Sequence, residues 1–209
     1  TILRPGHAPL PVVLNLPGLH NVTNSLAAVA VATLVGIDDE AIVKGLSEFT
    51  GVGRRFAQYG ELPIRNADGQ KTGSFTLVDD YGHHPHEIEA TIAAVHTAWP
   101  EKHLLVVFQP HRYTRTRDCF EDFVNLLCQA DAVVLADVYP AGEAPLVGAD
   151  GRALAHAVRL RGQNNLIFCP RIEDVPAAVR KMVRDGDVVL TIGAGSIGRV
   201  PAMLVKESK

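Results

Sequence analysis

Cysteines, long apolar runs and a signal segment are scarce or missing in this chain, and each absence excludes a class of protein. The three cysteines, Cys119, Cys128 and Cys169, are widely spaced and odd in number, so they fit neither a disulfide framework nor a metal cluster. We expect reduced thiols in a reducing compartment. No apolar run approaches the roughly 18 residues that a membrane-spanning helix needs. Because no signal segment opens the chain either, we expect a cytoplasmic protein without a membrane partner.

An excess of positive charge is also missing. The formal net charge at pH 7 is −3. Proteins that bind nucleic acid non-specifically present a basic field to the phosphates, so nucleic acid is not an expected partner. The apolar content of 47% is ordinary for a globular protein and is sufficient for a buried core.

The first 52 residues differ in pattern from the rest. They open on a proline-rich stretch without periodicity, and residues 12–16 (VVLNL) then predict a strand. Helices are predicted at residues 21–35, with Asn21 or Thr23 as the N-cap, and at residues 38–49. Because the chain starts in what resembles the middle of a domain, we expect a fragment of a longer protein.

A glycine and arginine segment, GVGRR at residues 51–55, interrupts all periodicity and predicts a hinge between two domains. Arg54 and Arg55 are either exposed charges or, between two domains, side chains that reach a phosphate. The predicted domains are residues 1–52 and residues 53–209.

Strands and helices alternate after the hinge. An extended segment is expected at 56–65, followed by a turn at 67–71. Strands are predicted at 75–80, 104–109, 132–138, 166–169 and 187–192, with helices at 85–98, 116–129, 151–161 and 173–184 and from Ser196 onward. Apolar runs such as LLVVF are typical of strands buried on both faces. The pattern predicts a doubly wound, mostly parallel, Rossmann-like α/β sheet, preceded by a fragment of a second α/β domain.

Two polar strings follow consecutive predicted strands, DDYGHHP at residues 79–85 and FQPHRYTR at residues 108–115. A right-handed crossover places both strand ends at one edge of a parallel sheet. Open α/β sheets bind ligands at that edge. We therefore predict a crevice between adjacent strand ends that accepts anionic substrates.

The first string suits a nucleotide better than a metal ion. Histidines His83 and His84, before a proline, point in different directions, and no acidic or thiol partner lies at ligand spacing, so no metal site is expected. Asp79 and Asp80 are placed to accept hydrogen bonds from ribose hydroxyls. The alternative is that either aspartate braces the loop or caps the next helix.

The second string carries Arg112, Arg115 and Arg117 next to His111. Arginine presents a planar fork that matches carboxylates and phosphates. The alternative is a solvated, basic helix start, which the preceding apolar strand disfavours.

GAGSIG at residues 193–198 matches the G-x-G-x-x-G motif of dinucleotide-binding proteins. That motif requires a further strand and an acidic residue about 20 positions on, for which no sequence remains here. A close-packed turn from strand to helix is favoured, and a nicotinamide oxidoreductase is the weaker alternative.

Taken in order, the strings PGLHNVTN, GVGRRF, DDYGHHPHE, FQPHRYTRT, VYPAGEAP and GAGSIG resemble the C-terminal part of the ATP-dependent Mur ligases of bacterial cell-wall synthesis. The resemblance covers essentially the whole chain, and it favours the branch that adds L-alanine over the branch that recycles murein tripeptide. It implies that residues 1–52 end the central ATPase domain and that residues 53–209 form the amino-acid-binding domain.

The same resemblance implies individual roles. The ATP-binding residues would be Asn21 and Asn24 at the adenine, Arg54 or Arg55 at the phosphates, and Asp80 at the ribose. The residues around L-alanine would be Tyr81, His83, His111, Arg112 and Arg115. His83 is also the candidate catalytic residue, because an imidazole in the crevice can take a proton from the amine.

The implied reaction is the ATP-dependent ligation of L-alanine to UDP-N-acetylmuramate through an acyl phosphate. No phosphate loop of the G-x-x-G-K-[ST] type occurs in the sequence. We therefore expect the ligands of the Mg²⁺ that accompanies ATP, and the missing N-terminal and central domains, outside this chain, which would be inactive alone. The alternatives are a tripeptide-recycling ligase and a non-catalytic nucleotide- or amino-acid-binding module.

Overall fold

The computed structural model describes residues 1–208, apart from the side chain of His20. The described residues divide into two compact units, Thr1–Val52 and a second unit that begins at Gly53. The division falls within the GVGRR segment.

The first unit contains two helices, α1 (Leu19–Leu34) and α2 (Asp39–Glu48). Asp38 caps α2, since its side chain accepts a hydrogen bond from the backbone N–H of Ala41 at 2.8 Å. A small apolar cluster around Val29 and Ile42 holds the two helices together.

Two predictions for this unit are wrong. Residues 12–16 do not form a strand, because no neighbouring strand within the described part of the unit pairs with them; the backbone pairing nearby is a single antiparallel bridge between Ile2 and Leu10. Neither Asn21 nor Thr23 caps α1, which begins earlier, after Gly18. The Asn21 side chain instead donates to the carbonyl oxygen of Pro17 at 2.7 Å.

The second unit is built on a six-stranded sheet with helices on both faces. Its strands are β1 (Ala57–Arg65), β2 (Lys71–Asp80), β3 (Leu104–Phe108), β4 (Ala132–Ala136), β5 (Leu166–Cys169) and β6 (Val188–Ile192). Its helices are α3 (Pro85–Ala98), α4 (Tyr113–Asp118), α5 (Phe120–Leu127), α6 (Gly151–Leu160), α7 (Val175–Met182) and α8 (Val200–Glu207). The strand order is β1-β2-β6-β3-β4-β5, with β1 antiparallel to β2 and the remaining pairs parallel. The predicted doubly wound, mostly parallel α/β fold is confirmed.

The expected adjacency of the two polar strings is wrong, because β6 lies between β2 and β3. Ile192 of β6 pairs with Asp80 on one side and with Phe108 on the other. The glycine-rich turn that follows β6 is therefore inserted between the two strings.

One predicted helix is divided. The helix expected at 116–129 begins earlier, as α4, and is interrupted at Cys119, where φ is −110° and ψ is 22°. The sequence has neither proline nor glycine there to mark the break. The helix expected at 173–184 is shorter, since a 3₁₀ turn, Ile172–Asp174, precedes α7. A similar turn, Ser196–Arg199, precedes α8.

The core has two layers, one on each face of the sheet. Along β3, Val106 packs in one cluster, with residues of α3, α5 and α6, while Leu105 and Val107 pack in the other, with residues of α7 and α8. This explains why the strand is apolar at every position. No helix within residues 1–208 is long and apolar enough to cross a membrane.

Candidate functional site

Four loops meet at the carboxyl edge of the sheet. They are residues 81–84 after β2, 109–112 after β3, 137–150 after β4 and 193–195 after β6. The second and third loops are joined by backbone hydrogen bonds of 2.9 Å, from Arg112 to the carbonyl of Tyr139 and from Tyr139 to the carbonyl of Pro110. The second polar string is thus held to the loop after β4 by main-chain pairing beyond the strand ends.

Four rings from three of these loops form a contiguous series, which we call the ring row: Tyr81, His83, His111 and Tyr139. Successive ring centroids are 5.4, 5.5 and 5.5 Å apart. Tyr81 and Tyr139 at the two ends are each 38% exposed. The sequence predicted the first three residues of this row but missed Tyr139, for which the VYPAGEAP string was the available indication.

The two imidazoles of the ring row have different surroundings. Nδ1 of His83 lies 3.2 Å from the carbonyl oxygen of Tyr81 and 3.6 Å from a carboxylate oxygen of Glu87. Nδ1 of His111 lies 3.4 Å from a guanidinium nitrogen of Arg115. Burial lowers the pKa of His111, and the positive charges of His83, Arg115 and Arg112 lower it further.

The three arginines of the second string have different surroundings. Arg115 is half-buried against the ring row and donates to the carbonyl oxygen of His111 at 3.2 Å. Arg112 is exposed, and its backbone adopts a left-handed conformation with φ of 72°. Arg117 is exposed and pairs with Asp118 at 2.8 Å, so it does not join the other two.

Glu143 fastens the loop after β4 to the start of α4. Its two carboxylate oxygens accept hydrogen bonds from the Thr114 hydroxyl at 2.6 Å and from the Thr114 backbone N–H at 3.0 Å. These bonds hold the pKa of Glu143 below its usual value. The sequence analysis missed this residue, which stands in VYPAGEAP.

The two aspartates at the end of β2 are buried and hydrogen-bonded. Asp79 accepts from Arg54 Nε at 2.8 Å and from the Thr191 hydroxyl at 2.7 Å. Asp80, 4% exposed, accepts the backbone N–H groups of Gly82 at 2.7 Å and Phe56 at 2.8 Å. Burial raises the pKa of Asp80 despite these two bonds. Its contact with a ribose stays a prediction.

The two arginines of the GVGRR segment, Arg54 and Arg55, have different surroundings. Arg54 lies against the glycine-rich turn and donates to the carbonyl oxygen of Gly193 at 2.6 Å in addition to its bond with Asp79. Arg55 is more exposed, 48% against 24% for Arg54, and lies 3.6 Å from Glu87. Both guanidiniums lie over the Tyr81 ring, at 5.5 and 5.7 Å from its centroid.

The GAGSIG turn is the close-packed turn that the sequence predicted. The buried Gln109 side chain accepts a hydrogen bond from the backbone N–H of Ile197 at 2.9 Å and donates to the carbonyl oxygen of Asp137 at 3.2 Å. A Cβ on Gly195 would lie 2.6 Å from the Gln109 amide oxygen. The absence of a side chain at Gly195 therefore leaves space for the Gln109 side chain.

The remaining predicted residues, Asn21 and Asn24, belong to α1 of the first unit, and Asn24 is exposed there. Their contact with adenine stays a prediction. Among the residues that the structure describes, no group of three His, Cys, Asp or Glu is arranged to hold a metal ion.

Comparison with known proteins identifies the family. Residues 67–195 match the family model described as "Mur ligase, glutamate ligase domain". The chain belongs to the Mur ligase family. It is 59% identical over 200 residues to the UDP-N-acetylmuramate–L-alanine ligase of Aromatoleum aromaticum, an alignment that covers 96% of this chain and 42% of that relative. The chain thus spans less than half the length of this curated Mur ligase.

Solved structures agree with this assignment. The crystal structure of UDP-N-acetylmuramate-alanine ligase from Thermotoga maritima matches 97% of this chain and 40% of its own, with a TM-score of 0.73 and 27% identity. A murein peptide ligase from Psychrobacter arcticus covers 93% of this chain and 38% of its own with a TM-score of 0.62, but at 18% identity it shows the fold alone.

Proposed function

We propose that this chain is the amino-acid-binding part of an ATP-dependent ligase that joins L-alanine to UDP-N-acetylmuramate. The observation that carries the proposal is the ring row, with Arg115 3.4 Å from His111 and Arg112 next to His111 in the chain, at the ligand-binding edge of the sheet. The relative with 59% identity, which bears the name of that ligase, supports the choice of substrates.

The proposed reaction has two displacements. The lactyl carboxylate of UDP-N-acetylmuramate attacks the γ-phosphate of ATP and forms an acyl phosphate and ADP. The amine of L-alanine then attacks the acyl carbon, and phosphate leaves. In this scheme Arg112 and Arg115 bind the L-alanine carboxylate, Tyr81 and His111 line its site, and His83 takes a proton from the amine.

We also propose the nucleotide contacts that the family resemblance implies. Asn21 and Asn24 would bind adenine and Asp80 the ribose, with residues 1–52 as the end of the central ATPase domain and residues 53–209 as the amino-acid-binding domain. We assign the phosphate contact to Arg55 rather than Arg54, because Arg54 is already bonded to Asp79 and Gly193. Mg²⁺ is expected to accompany ATP, with its ligands outside this chain.

The partners in the whole enzyme are ATP, L-alanine, UDP-N-acetylmuramate and the N-terminal and central domains, in the cytoplasm. This chain alone is proposed to bind without turnover, because the sequence has no phosphate loop.

Calorimetric titration tests the proposal. L-alanine, murein tripeptide and ATP, each alone, and L-alanine together with ATP are titrated into this chain and into its Arg115→Ala and Arg117→Ala variants. We expect L-alanine to bind to the unmodified chain and to Arg117→Ala, and to bind about ten times more weakly or worse to Arg115→Ala. Equal L-alanine affinities for all three, or a preference for murein tripeptide over L-alanine, would overturn the assignment.

A further inference from the structure

In the two histidines of the ring row, Nδ1 has partners of opposite kinds. It lies near a hydrogen-bond acceptor in His83 and near a donor in His111. Nδ1 of His83 lies 3.2 Å from the Tyr81 carbonyl oxygen, which can only accept a hydrogen bond. Nδ1 of His111 lies 3.4 Å from Nη1 of Arg115, which can only donate one. Nδ1 therefore carries the proton in neutral His83 and lacks it in neutral His111.

The other ring nitrogen then has the opposite character in each residue. In a neutral imidazole one nitrogen is a donor and the other an acceptor. Nε2 of His83 consequently presents a lone pair, while Nε2 of His111 presents an N–H. Burial and the neighbouring positive charges lower the pKa of His111, which favours its neutral, donating form.

The carboxylate of Glu87 lies close to His83. Glu87, in the first turn of α3, lies 3.6 Å from His83 Nδ1 and accepts the backbone N–H groups of His83 at 3.0 Å and His84 at 3.1 Å. Burial acts to raise the pKa of Glu87, but these backbone bonds and the nearby charges of His83 and Arg55 together outweigh it, and the pKa is lowered. Arg55, 3.6 Å from the other carboxylate oxygen, adds a positive charge. Glu87 is thus fixed and ionised at neutral pH.

We propose that Glu87 is a positioning residue that holds the proton of His83 on Nδ1, so that Nε2 of His83 accepts a proton from the ammonium group of L-alanine while Nε2–H of His111 donates to a substrate oxygen. A base oriented by a carboxylate is a common arrangement for activating a nucleophile. The inference rests on the proposed function, since it concerns the same reaction.

Protons and electrons balance across the step. The ammonium group gives one proton to His83, which becomes an imidazolium and later releases it to solvent. The resulting amine attacks the acyl carbon, the C–N bond forms, and the bond from that carbon to the phosphate oxygen breaks with its electron pair on phosphate. The departing phosphate takes the second proton from nitrogen, and the third remains on the amide.

The tautomers can be measured in this chain by long-range ¹⁵N–¹H correlation spectra at about pH 8, above the usual imidazole pKa. We expect the Nδ1–H form for His83 and the Nε2–H form for His111. Glu87→Gln retains a carbonyl oxygen for the helix start but loses the charge, so it should shift His83 toward the Nε2–H form. Glu89→Gln is the matched control, because Glu89 lies beside exposed His86 on the same helix.

The opposite tautomer at either histidine of the unmodified chain overturns the inference, as does a His83 spectrum that is the same in Glu87→Gln and the unmodified chain. The spectra require no L-alanine, so they separate this inference from the proposed function. If L-alanine fails to bind while the tautomers are as expected, the proposed function fails and the tautomer assignment remains.

Kinetics of the full-length ligase provide the second measurement. General base catalysis contributes about 10²–10⁴ in rate, of which the positioning carboxylate supplies a part. We expect Glu87→Gln to lower kcat by roughly tenfold to a hundredfold with the KM for L-alanine within about twofold. An unchanged kcat, or a rise in KM alone, overturns the role of Glu87.

Discussion

The guanidinium of Arg54 occupies the space that a side chain at position 198 would need. A Cβ placed on Gly198 would lie 2.6 Å from Cζ of Arg54. Arg54 cannot easily move aside, because Asp79 and the carbonyl oxygen of Gly193 both bind it. The turn after β6 and the start of the second unit are therefore fitted to each other.

Gly198→Ala should accordingly destabilise the second unit. Overpacking of this kind costs about 1–3 kcal/mol, which urea unfolding can measure. Gly53→Ala is the control, because a Cβ on Gly53 meets nothing within 4 Å and the change should be neutral or slightly stabilising. Equal stabilities for the two variants would contradict the close fit.

Arg115→Ala should raise the KM for L-alanine in the full-length ligase. A lost hydrogen bond to a charged group costs about 1.5–3 kcal/mol, which corresponds to roughly tenfold to a hundredfold. The KM for ATP should change less. Arg117→Ala removes an arginine that pairs with Asp118 instead, and it should leave both constants unchanged. An unaltered KM for L-alanine in Arg115→Ala would show that this arginine does not bind the substrate.

The stabilising effect of Glu143 should depend on pH. Hydrogen bonds from Thr114 lower the pKa of Glu143 below its usual 4.5. A carboxyl with a lower pKa in the folded protein stabilises the fold above its unfolded pKa and loses that effect as the pH falls through the folded value. Glu143→Gln should therefore be less stable than the unmodified chain at pH 7, and the difference should shrink at about pH 3.

Urea unfolding at the two pH values checks this expectation. Thr114→Val lacks the donating hydroxyl, so in that background the loss of stability caused by Glu143→Gln at pH 7 should be smaller. A loss that is the same at both pH values would assign the effect of Glu143 to something other than its charge.

Cys169 should react slowly with thiol reagents. Burial raises the pKa of the Cys169 thiol to about 11, and the thiolate is the reactive form. Cys119 and Cys128 are only half-buried. Mass-spectrometric mapping after brief labelling of the native chain at about pH 8 should find Cys169 labelled last, and labelled as fast as the other two only after unfolding. Early labelling of Cys169 would contradict its burial.

Much of the fold follows from local sequence patterns. The apolar runs of β3 and β4 are typical of strands buried on both faces, and the alternation with helices then indicates a doubly wound sheet. The position of β6 between β2 and β3 does not follow, because consecutive strands are neighbours in only about two-thirds of cases. Residues 12–16 resemble a strand locally, but a strand also needs a partner.

The residue types of the site were predictable, whereas their pairings were not. His83, His111 and Arg115 lie in polar strings directly after apolar strands. Polar residues at that position indicate a ligand-binding edge of the sheet. The hydrogen bonds that Thr114 donates to Glu143 and Arg54 donates to Gly193 join residues that are 29 and 139 positions apart. Such contacts depend on how the loops dock in three dimensions, which no local pattern encodes.

The place of β6 in the sheet also determines when the site can form during synthesis. A ribosome makes the loops after β2 and β3 well before it makes Val188–Ile192, the strand that separates them. Until that strand emerges, His83 and His111 have nothing between their strands to fix their spacing. Assembly of the ring row is therefore a late event in the biogenesis of the chain, and it is coupled to completion of the whole unit rather than to either loop.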